Sequence, residues 1–176
     1  MSRWVWLGLG AAALAGAALA ARPARWALLN RALDARHPDV AWVSTEALAA
    51  ELAGPRPPTL LDVREPSEVA VSRIPGAVRV GSDASDEALA ALGLEGPVVV
   101  YCAVGARSAV LAERLRALGV DGVRNLRGSI FAWANEGRPL VRGDGAASTV
   151  HPYDATWGTY LIPSARADLG PETASE

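Results

Sequence analysis

Val98-Val99-Val100-Tyr101-Cys102-Ala103-Val104-Gly105-Ala106-Arg107-Ser108 joins an apolar run to the start of a helical pattern, and the chain's one cysteine stands at the join. Val98 to Tyr101 predicts a strand covered on both faces, as in parallel sheets. Arg107 to Leu118 then carries apolar residues at helical spacing, with Gly119 as the terminal cap. A strand that runs straight into a helix puts Cys102 at the carboxyl edge of the sheet, where open α/β folds bind ligands. Amides opening a helix lack partners within it, and the dipole is positive at that end, so a thiolate or oxyanion is stabilised there. Such surroundings bring a cysteine below its free pKa of about 8.5 and favour the nucleophilic thiolate. Arg107 adds a permanent positive charge, and Gly105 lets the loop turn back so that its amides converge on the sulfur. A lone cysteine at a strand end can equally be a small buried hydrophobe. The glycine, the arginine and the strand-to-helix placement favour chemistry. Cys102 is therefore the expected nucleophile, with Ala103, Val104, Gly105, Ala106, Arg107 and Ser108 as the loop that holds the substrate.

Outward from this loop the chain alternates strands and helices. A short strand is expected around Trp42-Val43, followed by Ser44 or Thr45 as cap for the helix EALAAELA and by a Pro-rich loop from Gly54 to Pro58. Thr59 to Val63 is a second apolar strand, Pro66 suits the first turn of a helix over SEVAV, and Ala77 to Val80 is a third strand. Asp86 to Leu92 reads as helix, Val123 to Leu126 as the last strand and Ile130 to Asn135 as the last helix. The pattern predicts an α/β fold with a five-stranded parallel sheet flanked by helices on both faces, spanning about residues 41–142. Trp133, at helical spacing from Ile130, is expected in the core. Asp62 and Arg64, at the end of the second strand, are supporting residues for which a structural role is expected, with Arg64 paired to Glu68 one helical turn on.

Composition narrows the function. The chain has 176 residues, 17 basic side chains against 19 acidic ones and a net charge of −2, so no excess of positive charge awaits a nucleic-acid backbone. One cysteine and two histidines exclude an intramolecular disulfide and a multi-cysteine zinc site, and neither a metal nor a cofactor is expected. Trp4 to Ala21 carries no charge and as a helix would rise roughly 27 Å, just short of a hydrocarbon core. Arg22, Arg25, Arg31 and Arg36 follow it and only Arg3 precedes it. A single-pass anchor over residues 4–21 with the following domain in the cytoplasm is thus expected. A signal peptide cleaved after Ala18-Leu19-Ala20, giving an exported chain, is the alternative. Residues 1–22 are read as this hydrophobic helix, 23–40 as a juxtamembrane connector and 143–176 as a tail. His151 in the tail reads as polar surface, and the aromatic stretch HPYDATWGTYL either docks on the domain or binds a partner.

Four motifs in order resemble the rhodanese-like domain family, which carries sulfurtransferases. Leu60-Leu61-Asp62-Val63-Arg64-Glu65-Pro66 with Glu68 is similar to the family's first signature, and Arg73-Ile74-Pro75-Gly76-Ala77 follows at the usual interval. Cys102 to Ser108 is similar to the active loop, and Gly128 through Trp133 to Gly137-Arg138-Pro139-Leu140 resembles the closing signature. Arg73 stands where the family commonly has His, a position usually assigned to structure. The resemblance implies a persulfide cycle in which Cys102 takes sulfur from thiosulfate or a related persulfide donor and passes it to cyanide or a thiol. The absence of a second cysteine fits, since a resolving thiol in the same chain would discharge the persulfide as a disulfide. Phosphatases and arsenate reductases of this fold have a loop one residue longer, so the four residues between Cys102 and Arg107 favour sulfur over a phosphoryl group. The other alternative is a membrane-tethered module that binds a partner or senses redox state through Cys102 without turnover.

Overall fold

In the computed structural model, residues 22–169 are described, and each expected strand is present within them. Helix α1 (Arg22–Arg36) leads into β1 (Ala41–Val43), α2 (Thr45–Leu52), β2 (Thr59–Asp62), α3 (Pro66–Val71) and β3 (Val78–Arg79). Then come α4 (Asp86–Ala90), β4 (Val98–Tyr101), α5 (Ala106–Ala117), β5 (Val123–Leu126), α6 (Ser129–Asn135) and a hairpin of β6 (Leu140–Arg142) and β7 (Gly145–Ala147). Two 3-10 turns, Trp157–Tyr160 and Pro163–Ala165, close the described chain. The first five strands form one sheet in the order β1-β5-β4-β2-β3, every pair parallel, with β4 at its centre.

The two-residue period of β4 sorts the core onto two faces. Val98, Val100 and Cys102 join Leu89 of α4 and Ala109, Leu111, Ala112 and Leu115 of α5 on one side. Val99 and Tyr101 face the other way, onto Leu48 of α2 and Ile130, Phe131 and Trp133 of α6. All four β4 residues are fully buried, the doubly covered state that their apolar run predicts. Trp133 is in this core, and its indole N–H donates to the Pro139 carbonyl at 2.8 Å. Ser44 caps α2 by accepting from the Ala47 amide at 3.1 Å.

The ends of elements differ from the sequence reading by a residue or two. Expected over Ala77 to Val80, β3 keeps only Val78 and Arg79, because it pairs with β2 alone at the edge of the sheet. A larger difference concerns the tail. An Arg73–Val141 bridge draws the chain back along the domain, and Val150 pairs with Arg166. Val150, Leu161 and Ala165 complete the core on the α6 side. His151, expected as polar surface, is instead buried with 8% exposure, because this return path carries it onto the domain within the field of Glu68 and Arg64. The aromatic stretch docks on its own domain. Among the described residues no helix is long and apolar enough to cross a membrane; the expected hydrophobic helix over residues 4–21 lies outside them.

Candidate active site

Cys102 follows the central strand and is 1% exposed. Gly105, at φ 109°, turns the loop into α5. Its missing side chain is needed twice over. The backbone is left-handed, which side chains rarely adopt, and a Cβ would press to 3.3 Å from the Trp42 ring. In this turn the Gly105 amide donates to the Cys102 sulfur at 3.1 Å. Two carbonyls of the loop are committed elsewhere: Ile130 and Phe131, at the start of α6, donate to Cys102 and Ala103 at 3.2 and 3.1 Å. The Cys102 amide donates to Ser129 Oγ at 3.2 Å, and Asn125 Nδ2 donates to the Gly105 carbonyl at 2.8 Å. With these three carbonyls so held, the loop turns the Gly105 amide to the sulfur.

Burial by itself pushes the Cys102 thiol up, but the Arg107 charge and hydrogen bonds from the Ser108 and Gly105 amides outweigh it. The thiol ionises below its ordinary value. Ser108 is buried and donates to Asn125 Oδ1 at 2.7 Å. Arg107 does not stand alone. Its two Nη atoms donate to the Glu68 carboxylate at 2.7 and 2.9 Å, and Glu65 lies at 4.0 Å. Glu68 is 1% exposed. Burial opposes the Arg107 charge, yet the Glu68 bonds and the neighbouring Cys102 hold its pKa above the ordinary value.

The Arg64–Glu68 pair expected from sequence is therefore not the one formed. Arg64 binds Asp62, with Nε to Oδ1 at 2.9 Å and Nη2 to Oδ2 at 2.7 Å, and Nη2 also donates to the Ser72 carbonyl at 2.7 Å. Only the Glu68 backbone carbonyl lies near it, at 3.5 Å. The reason is local. Glu68 sits in the first turn of α3, where its carboxylate accepts from the Glu65 amide at 3.0 Å and faces Arg107 across the loop. Behind Cys102, the Tyr101 hydroxyl donates to Asp62 Oδ2 at 2.7 Å and accepts from the Ile74 amide at 3.2 Å. Burial and the Asp62 charge push the Tyr101 phenol well above its usual range, so it remains a donor. Asp62 and Arg64 thus brace the strand end that carries the cysteine.

Beside the sulfur opens a cavity of about 210 Å³, walled by Cys102, Val104, Arg107, Tyr153 and Trp157. The last two come from the tail. The Tyr153 ring lies over the Arg107 guanidinium at 4.9 Å. Its backbone is left-handed at φ 68° and is held by donation of its amide to His151 Nδ1 at 3.0 Å. Trp157 stacks on Tyr160 at 5.7 Å, and Trp26 of α1 meets Tyr160 edge-on at 4.9 Å. Sequence reasoning missed the parts played by Glu68, Asn125, Ser129, Tyr153 and Trp157. An Asn within an otherwise apolar last strand was a signal; the tail residues carried none, since nothing local says which surface they meet. Among the described residues no group of three or more acidic, histidine or cysteine side chains could hold a metal.

A loop that lowers a cysteine's pKa between the central parallel strand and a helix defines a class of α/β domains with a thiol at the carboxyl edge of the sheet. Residues 44–136 match the rhodanese-like domain family, more than half of the chain, and the protein belongs to that family. It is 35% identical over 103 residues to a sulfurtransferase of Allochromatium vinosum, covering 58% of this chain and 96% of the relative. A rhodanese-like domain protein of Staphylococcus aureus aligns in structure at a TM-score of 0.52 with 31% identity, covering 58% of this chain and 97% of the other. A Rhodopseudomonas palustris protein of unknown function, described as a possible tyrosine phosphatase, aligns at 0.54 with 25% identity, over 62% of this chain and 90% of its own.

Proposed function

We propose that this protein is a sulfurtransferase that works through a persulfide on Cys102. The thiolate attacks the outer sulfur of thiosulfate or a related persulfide donor. An S–S bond forms to Cys102 Sγ, the donor's own bond to that sulfur breaks, and its remainder leaves with the electron pair as sulfite or a thiolate. Cyanide or an acceptor thiol then takes the terminal sulfur, and Cys102 returns as thiolate. The observation that carries this reading is the setting of the sulfur itself, which receives the Gly105 amide at 3.1 Å and lies in the field of Arg107. The same groups stabilise a terminal persulfide anion. Incubation with thiosulfate or an organic persulfide is expected to add the mass of one sulfur to the protein, and Cys102→Ser to abolish both this adduct and cyanide-dependent thiocyanate formation. Absence of any adduct with the native protein would sink the proposal.

We propose further that residues 4–21 tether the chain as a single pass, with the domain on the cytoplasmic side. This rests on the charge-free run and on the four arginines from Arg22 to Arg36 that follow it. Protease digestion of the domain in intact cells would contradict that orientation.

A further inference from the structure

Two features of the Cys102 cavity bear on which sulfur compound enters it. The first is charge. Among the described residues Arg107 is the one cation lining the cavity. Its two Nη atoms are taken by Glu68 at 2.7 and 2.9 Å, Glu65 stands at 4.0 Å, and the Tyr153 ring covers its face. Counting the Cys102 thiolate, Arg107 and Glu68, the immediate charge is −1 before any donor arrives, so each further negative charge on the donor adds repulsion. The second is the wall. Tyr153 and Trp157 offer aromatic surface within reach of the sulfur, and both are held in place. Tyr153 keeps a left-handed backbone tied to His151, and Trp157 is stacked on Tyr160. Both lie outside the 44–136 span of the family match.

We propose that Tyr153 and Trp157 are specificity-determining residues, which make this site selective for monoanionic sulfur donors with an apolar carbon group over the thiosulfate dianion. Organic persulfides and thiosulfonates are such donors. The carbon group leaves water against the two rings, while the single negative charge rests near the loop amides. With an arylthiosulfonate, Cys102 Sγ bonds to the terminal sulfur, the sulfur–sulfonyl bond breaks, and the arylsulfinate departs with the electron pair. One negative charge remains on the persulfide and one on the leaving group, as at the start. The cavity, at about 210 Å³, suits a small carbon group.

This inference rests on the sulfurtransferase reading, and the experiment separates the two. Intact-mass kinetics of sulfur loading on Cys102 are measured with thiosulfate and with benzenethiosulfonate. For the native protein the apparent second-order rate is expected to be at least about tenfold higher with the aryl donor. Tyr153→Asn, which tolerates the left-handed backbone, should lose most of that preference, Trp157→Leu should reduce it, and Tyr153→Phe should retain it. Glu68→Gln, which frees Arg107 of its counter-charge, should raise the thiosulfate rate. Equal rates for the two donors, or a Tyr153→Asn variant slowed equally toward both, would overturn the proposal and leave sulfur transfer standing. No loading from either donor would overturn both.

Discussion

Two arginine–carboxylate pairs lie on either side of the cysteine loop, and they serve different ends. Arg64 and Asp62 are closed off entirely, at 0% and 1% side-chain exposure. Every hydrogen-bond partner of the Arg64 guanidinium belongs to the domain: Asp62, the Ser72 carbonyl and the Glu68 carbonyl. Arg107 and Glu68 have the same chemistry, but Arg107 is 26% exposed and borders the cavity, with Cys102 among the groups that set its pKa. A pair with no open side acts on the architecture alone, whereas one with a side toward the ligand also sets the charge that the ligand meets.

That contrast breaks first at Arg64. Arg64→Leu leaves the Asp62 carboxylate buried without its cation and two backbone carbonyls without their donor, and denaturant unfolding is expected to show a loss of about 3–5 kcal/mol. Replacing Asp62 as well should recover part of it in a double-mutant cycle. Arg107→Gln leaves Glu68 with a neutral partner and should cost less, about 1.5–3 kcal/mol. Its distinguishing effect is on the sulfur. The thiolate loses its cation, so the midpoint of the pH dependence of Cys102 alkylation should move upward. A lowered thiol pKa in the folded state also contributes stability above the unfolded pKa and loses it as the pH falls through the folded one, and this dependence should shrink in Arg107→Gln. Glu68→Gln should cost about 1 kcal/mol and move the alkylation midpoint the other way, downward, because a negative neighbour is removed. An unchanged midpoint in both variants would refute the assignment of this pair to the cysteine. At the small end, Arg114→Ala removes a surface bridge to Asp86, itself 60% exposed, and should change stability by less than about 1 kcal/mol.

The strands were readable because a run such as Val98 to Tyr101 states its own burial, and the loop because Cys102, Gly105 and Arg107 are adjacent in the chain. Which carboxylate Arg107 would find was not readable. Arg64 is four residues from Glu68 and Arg107 thirty-nine, yet the longer-range pair forms, because α3 turns the Glu68 carboxylate toward the loop. Tyr153 and Trp157 lie in a stretch whose composition left open whether it docks or binds a partner. The path back through the Arg73–Val141 bridge puts them over the cysteine.

Local periodicity and neighbours a few residues apart were enough to place the five sheet strands with the helices between them, the family, and the loop that carries the lone cysteine. Only the tertiary structure decided the charge balance at the sulfur and the aromatic wall beside it. Both depend on contacts between residues remote along the chain, and such contacts are set by how the packed elements bring their ends together.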